Sequence, residues 1–408
     1  MFAANTGGFI YVAALGWYSL ELTGSPAAVG VAYAANGIPQ LLLTLHAGVF
    51  TDRFGARGMV AVGIGLVAIV LIAQGILALG PGVPFESVIV TAALVGAGYA
   101  IASPGTLSIV SELVPSSAMS SAVALNWFSV SLSRVIGGVM AGLLLATTST
   151  AVALIAAGAF NLLPALLMLV VRSRPESSTR LVVPASALLR PVFEAFGYIR
   201  RFPTLGVIVL LSAAPGAIGL SYIFLLPTAA RELGIGPEGL GNLLAATGVG
   251  GLVTGLTLES LQRRFGHGRA VFAGLFVASV ALVLFGFAPN ALVALLLLPF
   301  VGGGFFTYAA ATGTLIQALA PPRLRGRLVG LFALFYWGLL PIGSLLGGTI
   351  AQLSNGRVAV IVTGALLGLC GLVALAVRPQ VVSLKVGRDG LTLAGRLEGT
   401  GVEPARPG

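Results

Sequence analysis

The stretch Gly48-Val49-Phe50-Thr51-Asp52-Arg53-Phe54-Gly55-Ala56-Arg57 stands between two long apolar segments. It holds one acid and two arginines within a few residues, with lipid-compatible sequence on both sides. Charges kept this close to hydrocarbon read as a loop at a membrane surface, joining one spanning segment to the next.

Composition agrees. Hydrophobic residues make up 57% of the 408 and charged residues 8%, too little polar surface to enclose so much apolar surface in water. Apolar stretches near the length of about 20 residues that crosses a bilayer occur at 2–22, 27–48, 59–80, 87–112, 122–146, 151–171, 204–228, 239–259, 270–288, 291–318, 328–350 and 357–377. These are expected to be helices. Isolated strands would leave backbone groups unpaired in lipid, and the alternating pattern of a barrel is missing. The fold class is therefore all-α integral membrane with about twelve spans.

The net charge of +10 would suggest a nucleic-acid partner in a soluble protein, so the placement of the basic residues decides its meaning. If Met1 faces the cytoplasm, only Arg231 and Arg357 fall on the far side and Arg134 within a span, leaving 19 of the 22 basic residues on the inner side. That bias is the positive-inside rule. It predicts an inner (cell) membrane protein with both termini cytoplasmic and no role for nucleic acid.

Enzymatic chemistry finds no foothold. The single cysteine, Cys370, excludes an internal disulfide and a thiolate cluster. His46 and His267 share no metal-ligand spacing, and neither a Ser-His-Asp triad nor paired carboxylates can be assembled. No ATP-binding motif or phosphate-cradling glycine loop follows a strand, so no cofactor or metal is expected. The 57 glycines read as close helix packing and hinges.

The chain repeats itself. Phe54-Gly55 with Arg57 returns as Phe265-Gly266 with Arg269, 211 residues on; Ala122 through Gly138 and Gly142 returns as Arg327 through Gly343 and Gly347, 205 residues on. The difference of six is taken up by the longer loop Gly80 to Glu86. Two parallel six-helix halves are expected, at 1–171 and 204–378. Between them, 172–203 opens polar (Arg172, Arg174, Pro175, Glu176), and from Ser186 to Arg201 carries Leu188, Leu189, Val192, Phe193, Phe196 and Ile199 at helical spacing. That pattern predicts an amphipathic helix on the inner leaflet. Residues 379–408 read as a cytoplasmic tail.

Several of these motifs carry a family resemblance. The opening stretch resembles the loop between helices 2 and 3 of the major facilitator superfamily. Leu22-Thr23-Gly24-Ser25-Pro26, Ala122 to Asn126, Ser133 to Gly137, and Pro321 to Leu331 with Gly338, Pro341, Gly343, Gly347 and Gly348 resemble its enterobactin-exporter and macrolide-efflux branch. The resemblance covers most of the chain and implies a secondary transporter that exports a drug, siderophore or other small molecule, driven by protons. It also implies a conformational latch at Gly48, Asp52, Arg53, Gly55 and Arg57, with Arg323, Arg325, Gly326 and Arg327 in the second half. There are departures: Arg263 replaces the acid in the second-half loop, the segment from Ser87 to Glu112 has no arginine, and Gly138 stands where a proline is usual. The first span begins almost at Met1, so a short upstream leader is expected.

The candidate substrate or proton site draws on polar groups inside the spans. Arg134 falls near the bilayer centre, where a cation needs compensation; Glu21 and Glu112 are the nearest acids, both near span ends. Arg134 either attracts an anionic substrate group or braces backbone carbonyls. Asn36, Gln40, Asn126, Trp127 and Tyr336 complete the set. A weakly polar, aromatic lining suits hydrophobic or amphipathic compounds better than sugars. The reading is a monomeric, proton-coupled antiporter for efflux, with an uptake permease of the same fold and a non-transporting membrane receptor or scaffold as alternatives.

Overall fold

A computed structural model describes residues 1–113, 119–170, 190–387 and 390–393. The first half comprises α1 (Phe2–Thr23), α2 (Pro26–Phe54), α3 (Ala56–Leu77), α4 (Phe85–Leu113), α5 (Met119–Thr147) and α6 (Thr150–Val170). A short helix, α7 (Arg190–Arg201), precedes the second half: α8 (Pro203–Leu211), α9 (Ala213–Ala217), α10 (Tyr222–Glu232), α11 (Gly236–Phe265), α12 (His267–Gly286), α13 (Ala291–Leu319), α14 (Pro322–Gly338), α15 (Leu340–Leu353) and α16 (Gly356–Val377). Eleven segments are long and apolar enough to cross a membrane. The first helix matches them in length, at 22 residues, but Asn5 and Glu21 lower its apolar content, and along its length it also carries Thr6 and Ser19. Both are fully buried inside the bundle, and their hydroxyls donate to the carbonyls of Phe2 and Leu15 one turn back, so the polar atoms are satisfied within the helix.

Helix ends follow local chemistry. Ser25, Asn290 and Asn355 accept from the N–H three residues on at 3.3, 3.1 and 2.8 Å, and each satisfies a donor that the first helical turn leaves free. Pro26 at the first helical position has no donor to lose.

The charged stretch Gly48 to Arg57 is not a loop. Residues through Phe54 remain helical, and the turn is the single residue Gly55 at φ 85°, ψ 143°, with α3 starting at Ala56. Gly266 does the same between α11 and α12, at φ 90°, ψ 156°. Only glycine occupies that region without strain, so the repeated Phe-Gly is one hinge used twice. Polar side chains tolerate a helix where it leaves the membrane, because the backbone stays paired whatever the side chains meet.

Two spans read as continuous are broken. The seventh, expected over 204–228, is α8, α9, a 3₁₀ turn at Gly219–Ser221 and α10; Pro215, Gly216 and Gly219 occupy the break. The eleventh, expected over 328–350, divides at Leu339 between α14 and α15, where Gly338 and Pro341 flank it. Proline lacks the N–H and its ring collides with the carbonyl four residues back, here that of Trp337. The two breaks lie against each other: a methyl on Gly216 would overlap the carbonyl oxygen of Phe335, and one on Gly343 would come within 2.9 Å of the Ala217 oxygen.

Where the two halves touch, small residues allow it. On α5, added methyls at Gly138 and Gly142 would lie 2.9 Å from the carbonyl oxygens of Gly241 and Glu238. Further along the same pair, Gly248 faces Val135 and Gly251 faces Ser131. Gly30 and Gly37 of α2 meet Ser344, Gly348 and Pro341 of α15 in the same way. All these contacts fall in the middle or toward the end of the bundle away from the Phe54 and Phe265 hinges. Toward the hinge end, Leu125, Phe128, Val253 and Leu256 of the same two helices are exposed, Leu256 at 78%. The halves are thus closed at one end and parted at the other.

The segment beyond α16 folds back on the second half. A 3₁₀ turn, Pro379–Ser383, leads into an antiparallel hairpin, β1 (Leu384–Gly387) and β2 (Gly390–Leu393). Val381 and Leu384 are almost fully buried. The Val386 N–H donates to His267 Nδ1 at 3.3 Å, and a methyl on Gly268 would overlap the Val381 carbonyl.

Candidate functional site

Arg134 lies fifteen residues from Met119 and thirteen from Thr147, which places it at the middle of a helix about 42 Å long at 1.5 Å per residue. Its side chain is half-buried. Nε is shut off from solvent with no hydrogen-bond partner, and the guanidinium lies over the Phe9 ring at 5.0 Å from the centroid. Across the seam, the phenols of Tyr222 and Tyr336 are within its electrostatic reach. No carboxylate pairs with it among the described residues, where the ion pairs are Arg263 with Glu259 and Arg327 with Glu194.

The far wall of this region is aromatic and is built on the two broken helices. Tyr222, just after the first break, stacks on Phe305 of α13 at 5.8 Å with the planes 1° apart. Tyr336, just before the second break, stacks on Tyr308 at 6.1 Å and Phe332 at 5.4 Å, meets Trp337 edge-on at 5.0 Å, and donates its hydroxyl to the Phe305 carbonyl at 3.4 Å. The buried hydroxyls of Tyr308 and Thr312 are one helical turn apart on α13. Broken helices at mid-membrane offer polar backbone to a cavity that continuous helices cannot, and they recur at transporter binding sites. The repeat reinforces the point: at the 205 offset Arg134 corresponds to Leu339, the residue at the second break, and at the 211 offset Tyr11 corresponds to Tyr222.

The other candidates scatter. Asn36 donates to Tyr11 Oη at 3.3 Å and to the Ala92 carbonyl at 3.1 Å, tying α2 to α1 and α4. Gln40 is half-buried one turn further along α2, and Asn126 is half-buried two turns before Arg134 on α5. Glu21 is exposed and accepts from Thr150 Oγ1 at 3.1 Å, joining the end of α1 to the start of α6. Its repeat counterpart, Glu232, 211 residues on, accepts the N–H groups of Gly356 and Arg357 at 2.6 and 3.2 Å at the start of α16. A carboxylate at a helix N-terminus satisfies free donors and the positive end of the dipole, so both acids join the first helix of each half to its last. The side chains of Glu112 and Trp127 lie outside the described residues.

At the hinge end, Arg57 donates from Nε and Nη2 to the Met168 and Leu169 carbonyls, capping the C-terminus of α6 where a cation is favoured. Arg327 pairs with Glu194 of α7; Arg325 and Gly326 are exposed. Gly48 is helical and Gly55 is the hinge, while the side chains of Asp52, Arg53 and Arg323 lie outside the described residues. The α7 helix turns Ala195 and Ile199 inward, both buried, with Phe196 edge-on to Phe335 at 6.1 Å. Residues 172–189, including the polar opening of the linker, lie outside the described residues.

Sequence reading missed Phe9, Tyr222 and Phe305. The available signal was the pairing of Pro and Gly inside two otherwise apolar spans, at Pro215-Gly216 and Gly338 to Pro341, which marks broken helices.

Two halves packed through glycines, broken helices at mid-depth and an unpaired cation between them define a membrane transporter of small molecules rather than an enzyme. The chain belongs to the transmembrane secretion effector family of the major facilitator superfamily, matched over residues 1–386. It is 26% identical to the multidrug efflux pump Tap of Mycolicibacterium fortuitum, over 92% of this chain and 94% of that one. It is 24% identical to the enterobactin exporter EntS of Shigella flexneri, over 76% and 73%. Among solved structures, that of the nucleoside transporter NupG superposes with a TM-score of 0.74 at 14% identity, covering 92% of this chain and 96% of that one; this likeness concerns the fold.

Proposed function

We propose that the chain is a secondary exporter that moves a small hydrophobic or amphipathic compound, a drug, siderophore or metabolite, out of the cell by alternating access. The basic hinge end faces the cytoplasm with both termini, the halves 1–171 and 204–378 rock about the Arg134 region, and the proton gradient supplies the drive. The observation that carries the reading is the asymmetric seam. Closed by glycine contacts at the far end and parted at the basic end, the halves are poised to load from the cytoplasm. The names of the relatives, pumps for drugs and a siderophore, support the direction.

The α2–α3 hinge with Asp52 and Arg53, and the α14 start with Arg323, Arg325 and Arg327, act as the latch that makes and breaks contact between halves in each cycle. The test is accumulation of fluorescent lipophilic dyes in cells with and without the protein. Lower accumulation that recovers when a protonophore collapses the gradient is expected. Higher accumulation would mean uptake, and no movement of any compound by purified protein in liposomes would mean a receptor or scaffold.

A further inference from the structure

Arg134 makes no hydrogen bond or ion pair with any described residue, yet it is held at mid-membrane, where a cation carries an insertion penalty. A brace would show donors on backbone carbonyls, as Arg57 does on Met168 and Leu169. Arg134 shows none. Its guanidinium lies over the face of Phe9, a soft partner that leaves the edges of the fork free for a planar anion. Tyr222 and Tyr336 belong to the facing half, whose Gly248 packs against Val135 beside Arg134, and they are fixed by stacking on Phe305 and Tyr308. The Tyr336 hydroxyl donates to the Phe305 carbonyl at a long 3.4 Å, a bond it can exchange for one to an oxyanion, and the rings present flat apolar surface.

We propose that Arg134, Tyr222 and Tyr336 form an anion subsite, and that the transported compound carries a carboxylate or a comparable oxyanion on an aromatic body. This deepens the exporter reading and rests on it. The carboxylate would take the two free N–H groups of the fork in bidentate fashion, and the aromatic body would lie along Phe9 and the tyrosine faces. A charge-assisted pair out of water is stronger than a neutral hydrogen bond, so the site should separate an acid from its neutral analogue of the same shape.

The experiment uses the full chain in lipid nanodiscs and measures binding of 2-naphthoate and 2-naphthamide by equilibrium dialysis at pH 7. The expected result is naphthoate at least tenfold tighter than the amide in the wild type. Arg134→Gln should abolish that preference while amide affinity holds, which also reports that the variant is folded. Arg134→Lys should keep part of the preference, since charge remains but the fork is lost, and Tyr336→Phe should reduce it several-fold. Equal affinities in the wild type, including no binding of either probe, overturn the proposal. So does an undiminished preference in Arg134→Gln, or in both Arg134→Lys and Tyr336→Phe should the glutamine variant not fold. Anion-selective binding without any export of naphthoate from loaded cells would leave the subsite standing and remove the exporter reading instead.

Discussion

Replacing Gly241 by alanine tests whether the glycine seam sets the conformational equilibrium. An added methyl there would lie 2.5 Å from the Gly142 Cα and 2.7 Å from the Gly142 N, closer still to the Gly138 carbonyl, where ordinary contact begins at 3.4 Å. The atoms in the way are backbone, so α5 and α11 must part by about 1 Å, and overpacking of this kind costs about 1–3 kcal/mol. The penalty falls on the state with the far end closed. In the alternate state those helices separate and the methyl meets open space, so the equilibrium should move toward it by roughly 5- to 140-fold, at 1.4 kcal/mol per factor of ten. The chain suits distance measurement, because Cys370 is its only cysteine and can be replaced. Spin-label pairs at Leu125 and Leu256 on the parted end, and at Thr148 and Arg231 on the closed end, would report both sides of the seam. Gly241→Ala should shorten the first distance and lengthen the second in a large share of molecules. Gly274→Ala is the control: its methyl would lie 2.6 Å from the Gly304 oxygen, a comparable clash inside one half, and should lower the melting temperature without changing either distance population. Wild-type distance populations in Gly241→Ala would refute the idea that this seam holds the closed end.

Other consequences are simpler to check. Asp52→Asn should leave the protein inserted and folded while slowing transport markedly, and a wild-type rate would reduce that acid to a surface anchor. Glu232→Ala leaves the Asn355 cap of α16 in place but strips the acceptor from the Gly356 and Arg357 N–H groups, and should cost about 0.5–2 kcal/mol, visible as earlier melting; Glu21→Ala, which loses one hydroxyl contact in place of two backbone donors, should cost less. Arg57→Ala frees the α6 carbonyls and should lower the melting temperature with little change in substrate affinity. Truncation after Val377 strips Val381 and Leu384 from the start of α12, side chains worth about 1.5–3 kcal/mol each when buried. It should bring earlier melting and trypsin cleavage at Arg263, Arg264 or Arg269, whereas unchanged melting would show that the hairpin is a passenger.

Several features were legible in the one-dimensional pattern because the forces behind them are local. A run of apolar residues crosses lipid on its own transfer energy and closes its own backbone hydrogen bonds, so the spans could be located without knowing their neighbours. The repeat of Phe54-Gly55 as Phe265-Gly266 was equally legible, but it read as a loop, whereas each is a turn of one glycine between two helices. Of the stretch from Ser186 to Arg201, the part Arg190–Arg201 is helical, and the first four residues of the stretch lie outside the described ones. What tertiary structure alone decided concerns groups brought together from distant parts of the chain. Glu21 meets Thr150 from 129 residues away and Glu232 meets Gly356 from 124, and nothing near either acid marks it as a helix cap. Gly241 differs from its fellow glycines only in what lies opposite, and that depends on how two halves are docked. Arg134 announced itself as a buried cation, but whether a carboxylate or a carbonyl met it could be settled only by the packing of α1, α10 and α14 around it, which supplies aromatic faces and no acid.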